Sequence, residues 1–283
     1  MPVKERGYHG WEGSLAPRRF PWFPISVHGI RQVKEKKRAK LLFFFSAFPF
    51  LFFLIAVYVA SKPELRFLDE ITRFINDDSR FFDLFFTRSG LMFVLFLLSV
   101  YAGSDLISAD LKFNSIQLYL SRPLKRLDYL VGKLAVVMFY LLMFSLVPAL
   151  LLVVAKLLFS GTWSIGLSTL GAILVYPFLA SLALASLVLL FSSFSPNTRL
   201  VIVGYVGFFF FANMLAGILS GVVFKHSALG LLSPERTMRH LSALLFGTKP
   251  AMAVPLWVAP LLVVMVSLLA LTWTLLRIRR VEV

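Results

Sequence analysis

The sequence predicts an all-α integral membrane protein with six transmembrane helices, and three observations carry that expectation. The first is composition: of 283 residues, 59% are hydrophobic and 15% charged, where soluble domains hold roughly 45 to 50% and about 25%. Thirty Phe and a mean hydropathy of +0.83 would force large apolar patches onto a soluble globule, whereas a bilayer accepts them. The second is that six apolar stretches, at about residues 41–61, 89–109, 131–158, 168–194, 199–221 and 254–276, reach the ~20 residues that cross a ~30 Å hydrocarbon core. The third is the charge pattern. A balance of +15 would suggest nucleic acid in a soluble chain, but these cations cluster beside apolar segments, which reads as topology and anionic-lipid contact instead.

The arm over residues 1–40 holds ten of the 29 basic residues beside only Glu5, Glu12 and Glu35. It is too long and too charged for the n-region of a cleaved signal peptide, so the first span is expected to stay in the mature protein. Over residues 23–40, Phe23, Val27, Ile30 and Val33 recur at helical spacing with most basic residues elsewhere. That pattern predicts an amphipathic helix lying in the inner headgroup layer and bending into the first span, either as a plain anchor or as a contact for a partner. The loop at 62–88 carries five basic residues and six acids: Glu64, Asp69, Glu70, Asp77, Asp78 and Asp83.

Between the second and third spans, Leu111, Ile116, Leu118, Leu120, Leu124, Leu127 and Leu130 give the chain apolar faces, and Pro123 must break or restart a helix. A short amphipathic helix there can dock a partner or pack on headgroups, and periodicity leaves both open. The turn Ser195-Pro196-Asn197-Thr198-Arg199 separates the fourth and fifth spans. Ser181 and Ala185 in the fourth span suit ordinary packing, while Asn213, Gly217 and Gly221 in the fifth form a small-residue stripe for close helix approach. Residues 222–253 hold two weakly apolar pieces around Pro234 and Gly247, each too short to span, that dip into the outer leaflet or lie on it. His226 and His240 read as plain loop residues, with no carboxylate-histidine cluster beside them.

With this layout 19 basic residues fall on the side of the two termini and nine on the other, with Lys156 left within a span, which makes both termini cytoplasmic. Trp163 and Trp257 fall at the outer interface and Trp273 at the inner one. Apart from Asp105 and Lys156 near span ends the spans are poor in ionisable groups, with no Glu or His. That disfavours an ion-coupled secondary transporter. A membrane-embedded enzyme needs a convergent nucleophile, base or metal set, and no Gly-x-Ser-x-Gly or His-Glu-x-x-His run occurs. Cysteine is absent, which removes disulfides, thiolate metal sites and a cysteine nucleophile.

The run Leu120-Ser121-Arg122-Pro123-Leu124-Lys125-Arg126, then Tyr129, then Gly132-Lys133, resembles the signature of ABC-2-type permeases, the transmembrane subunits of one class of ATP-binding-cassette exporter. The family often carries Glu followed by Gly-Thr upstream of this run, where the chain has Asp110 and Asn114-Ser115. The resemblance also takes in the N-terminal helix, the six spans and the long loop before the last span. It implies that the loop is a cytoplasmic coupling helix seated in a groove of a separate nucleotide-binding subunit. Leu120, Ser121, Arg122, Pro123, Arg126, Tyr129 and Lys133 would then couple to that ATPase, with Arg122 and Arg126 as its salt-bridge partners. It further implies that the N-terminal helix makes a second contact with the ATPase, that Asn213, Gly217 and Gly221 lie near a dimer axis and the translocation path, and that the segment between the fifth and sixth spans is re-entrant.

Gly132-Lys133 is followed by Leu134, with no Gly five positions before Gly132, so it fails the phosphate-loop pattern. The expectation is a permease without catalytic, cofactor or metal residues of its own, with ATP and Mg held by the partner subunit. The implied partners are the ABC ATPase subunit, a second copy or homologous permease chain, and membrane lipids, with no nucleic acid. The implied organisation is a cytoplasmic and interfacial arm at 1–40 and a permease domain at 41–283, in the plasma (inner) membrane of a prokaryote. Cargo is not legible.

Overall fold

A computed structural model of the chain describes residues 20–36, 39–62, 69–120, 124–160 and 165–281. Those residues are helical, with no strand among them, and six stretches are long and apolar enough to cross a membrane. Helix α1 (Trp22–Glu35) precedes a first span built from α2 (Ala39–Ser46) and α3 (Phe48–Ala60). The break at Ala47 falls where Pro49, which has no amide to donate, takes a place in the first turn of α3. Short helices α4 (Asp69–Asn76) and α5 (Asp78–Thr87) follow, then the second span, Leu91–Lys112, built from α6 (Leu91–Gly103) and α7 (Ser108–Lys112), and the short helix α8 (Ser115–Leu120). The third to fifth spans are α9 (Arg126–Ser160), α10 (Leu167–Ser192) and α11 (Thr198–Ile218). A π turn (Leu219–Val223), a 3-10 helix (Ser227–Leu232) and α12 (Pro234–Phe246) lead to the last span, α13 (Val258–Val281).

Helix α10 is the axis of the bundle, packed by α6, α9, α12 and α13. Its small residues Ala172, Ala180, Ser181, Ala183 and Ala185 are buried, so neighbouring backbones come close without the large side chains a soluble core would use. Ser181 and Ala185 thus pack as their sequence suggests. The outward faces of α3, α11 and α13 expose Phe52, Phe210, Phe211 and Leu268, apolar surface that only lipid or another apolar chain would cover.

The region read from sequence as a plain polar loop at 62–88 contains α4 and α5. Asp77 caps α5, its carboxylate accepting from the Arg80 amide at 3.2 Å. Phe81, Phe82, Phe85 and Phe86 all face inward. Their rings meet Phe53 of α3 at 5.2 and 5.3 Å and Tyr176 of α10 at 4.9 Å between centroids. Lys156, near the end of α9, pairs with the Asp78 carboxylate and donates to the Ile75 carbonyl at 2.7 Å, with its ammonium 4.6 Å from the Phe81 ring centroid.

The pieces around Pro234 and Gly247 become the 3-10 helix and α12, which Ser233 caps at one end and Gly247, at φ 66°, closes at the other. Met238, His240, Leu241 and Phe246 are buried against α5 and α10, so this segment enters the bundle. Trp257 and Trp273 are exposed near the two ends of α13, as an interfacial belt requires, and Trp163 lies outside the described residues.

The apolar residues read on one face of α1 divide between two surroundings. Phe23 and Val27 are 57% and 42% exposed, as a face turned to the headgroups requires, while Val33 is buried together with Ile25, Ser26 and Gly29. Close approach to α9 decides this. A side chain on Gly29 would come within 2.5 Å of Val136, so that contact needs a glycine. The helix also stops at Glu35 and does not run to residue 40, and residues 37–38 lie outside those described.

Candidate functional site

The segment joining the second and third spans is fastened at both ends. Where α6 gives way to α7, the amides of Ile107 and Ser108 lose their helical acceptors and donate to Ser192 Oγ at 3.1 and 3.0 Å. Ser192 in turn donates to the Ser104 carbonyl at 2.9 Å, and Ser108 shares a 2.9 Å hydrogen bond with Thr198. Non-helical backbone inside a membrane protein needs such partners.

Between α7 and α8 the chain reverses at Asn114, whose φ is 53°. Asn is among the few residues with a side chain that tolerate this left-handed region, a position that otherwise favours Gly. Asp110, the other position that departs from the resembled run, is held by two partners. Lys133 Nζ lies 2.6 Å from Asp110 Oδ2, and Tyr129 donates its hydroxyl proton to the same oxygen at 2.7 Å. Tyr129 and Lys133 are one turn apart on α9, and the ammonium sits 5.4 Å from the tyrosine ring centroid. Both residues are buried, so the pair forms where water competes little. Ile116 of α8 and Ile278 of α13 pack against Tyr129, which ties the loop to the end of the last span.

The neighbouring Gly132 has a different task. A Cβ there would stand 2.9 Å from Ile25 and 3.1 Å from the Trp22 carbonyl oxygen, while Ser26 donates to the Gly132 carbonyl at 3.1 Å. The Gly-Lys pair thus divides its work: glycine admits α1, and lysine anchors α7. Tyr140 donates to the Ile30 carbonyl at 2.7 Å, and Lys36 pairs with Asp105 at 2.7 Å, completing the seam between α1 and the second and third spans.

Of the residues singled out by sequence, Tyr129 and Lys133 meet at Asp110, Arg126 opens α9 and Leu120 closes α8. Ser121, Arg122 and Pro123 lie outside the described residues. Of the small-residue stripe, Asn213 hydrogen-bonds Ser233, Gly217 stands 3.6 Å, measured from an added Cβ, from an Arg236 guanidinium nitrogen, and Gly221, in the π turn after α11, is exposed and lines a cavity with Lys225 and Arg236. Asp110, Ser192 and Ile278 carry weight that sequence reasoning missed. Asp110 was visible only as a departure from a motif, and nothing local marked Ser192 or Ile278.

Six candidate spans around α10, with a segment of short helices fastened to α9 and α13, describe a multi-pass membrane protein. Residues 31–280 match the family described as ABC-2 family transporter protein, and the chain belongs to that family of permeases. No curated protein matches the sequence.

Proposed function

We propose that this chain is the transmembrane subunit of an ATP-driven exporter, in which two copies, or one copy and a homologue, enclose the path and a separate ABC ATPase supplies the energy. The observation that carries the reading is the Asp110–Tyr129–Lys133 cluster with Ile278 beneath it. A force applied to α7 and α8 has no soft linkage in which to dissipate before it reaches α9 and α13. ATP and Mg bind to the ATPase; closure of its two copies pushes the segment at 110–130, and the helix bundles rock as rigid bodies between two states that ATP biases differently. Arg122 and Arg126 serve as charged contacts for the ATPase, α1 as a second contact, and the face of Asn213, Gly217 and Gly221 borders the path. Residues 1–40 act as the interfacial arm and 41–283 as the permease domain. The chain lies in a prokaryotic plasma membrane with both termini inside, in keeping with the 19 basic residues on that side.

The test is reconstitution of the full chain with a co-expressed ABC ATPase in lipid nanodiscs. The reading expects Arg122→Glu with Arg126→Glu to abolish stable association and the cargo-stimulated part of ATP hydrolysis. Transport that survives removal of the ATPase and stops when the ion gradient is collapsed would sink it in favour of a secondary transporter.

A further inference from the structure

The nine basic residues that the sequence layout leaves on the side away from the termini run against the charge asymmetry that orients the protein. Five of them gather around Arg239. It lines three adjoining cavities of about 570, 450 and 310 Å³, the lobes of a basic recess, with Arg88 in the first, Lys225 and Arg236 in the second, and Arg88 and Lys249 in the third.

The recess is short of counter-charge. Its carboxylates are Glu235, which reaches Arg239 at 3.5 Å, and Asp83, which is occupied by the hydroxyls of Ser242 and Thr248. Arg236 donates to Ser220 at 2.7 Å, a neutral partner. Among the described residues, Arg88, Lys225 and Lys249 have no ion pair, and Arg239 Nε is buried without a hydrogen-bond partner. Five cations against two carboxylates leave the recess with a positive potential, and an incoming oxyanion can accept from Arg88 and from the unpartnered Arg239 Nε at once.

The largest lobe is also apolar on one side. Met92, Phe93 and Phe209 face Arg88 and Arg239 across it, and Phe93 is half exposed on the outward face of α6. We infer that this recess binds a phosphate-bearing amphiphile, with the phosphate between Arg88 and Arg239 and the acyl chain leaving along Met92 and Phe93. The inference concerns binding to the isolated chain and stands apart from the export reading.

Native mass spectrometry of the full chain in detergent tests it, with phosphatidylglycerol, phosphatidylcholine and inorganic phosphate as probes. Phosphatidylglycerol is expected to bind more tightly than phosphatidylcholine, and Arg88→Gln with Arg239→Gln to weaken it by roughly a hundredfold, as the loss of two charge-assisted contacts implies. Arg88→Lys with Arg239→Lys retains most of the preference. Arg73→Gln, which removes an exposed cation of the same face outside the recess, leaves it unchanged. Equal binding of the two lipids, or an undiminished preference in the double Gln variant, overturns the proposal. So does full displacement of the lipid by millimolar inorganic phosphate, which would mark a site for a bare anion.

Discussion

Lys133 and Asp110 are 7% and 15% exposed at their side chains, so neither charge has water to fall back on if the other is removed. Lys133→Met should cost about 3 kcal/mol by stranding the carboxylate. Adding Asp110→Asn to it should recover much of that loss, because a neutral amide with Tyr129 beside it no longer carries a buried charge. Thermal unfolding of the two variants in detergent decides the sign. Lys156→Met should behave like the first of these, with Asp78 as the stranded partner. At Asn114 the left-handed backbone predicts that Gly is tolerated and that Val costs about 1 to 2 kcal/mol, read from the same melts. The importance of Tyr129 and Lys133 was legible because they stand in a recognisable run. The reason for it was not, since Asp110 lies 19 positions from Tyr129 along the chain and only the reversal at Asn114 brings the two together.

Helix α1 shows where periodicity succeeds and where it stops. Apolar spacing located the helix and its lipid-compatible residues Phe23 and Val27, but gave no sign of the protein contact that Ser26 and Gly29 make, because these two have almost no apolar signal. In a membrane protein the buried stripe is often the small one. Helix α5 was missed because residues 62–88 were read only as a loop between two spans and for their charges, although Phe81, Phe82, Phe85 and Phe86 repeat at helical spacing. The seam of α1 on α9 can be tested directly in this chain, which has no cysteine of its own. An added Cβ at Gly29 stands 3.6 Å from Val136 Cβ, inside the range a disulfide spans. Gly29→Cys with Val136→Cys should therefore oxidise readily to an intramolecular disulfide, detected by mass spectrometry of unreduced peptides. A failure to form it means that α1 does not rest on α9 in the folded protein.

At the scale of the whole molecule, composition made the membrane class legible, the six apolar stretches the span number, and the run from Leu120 to Lys133 the family. Long-range fastenings were not, because the residues that make them, Ser192 under α7 and Ile278 under α8, look like any other serine or isoleucine of a span. Ile278→Ala should loosen α8 by about 2 kcal/mol, a roughly thirtyfold faster amide exchange over residues 115–120, while exchange in the middle of α10 stays slow. That contact has a mechanical meaning. Helix α13 has 24 residues and so is about 36 Å long; one end sits beneath α8, and the other begins shortly after Ala251 and Met252, which help to line the basic recess. A rod of that length pivoting about its middle on α10 by roughly 5° would carry each end through about 1.5 Å in opposite directions. Under the proposed function, the last span is then a strut by which a push on one face of the membrane becomes a change of width in a cavity on the other, with no relay of side chains between them.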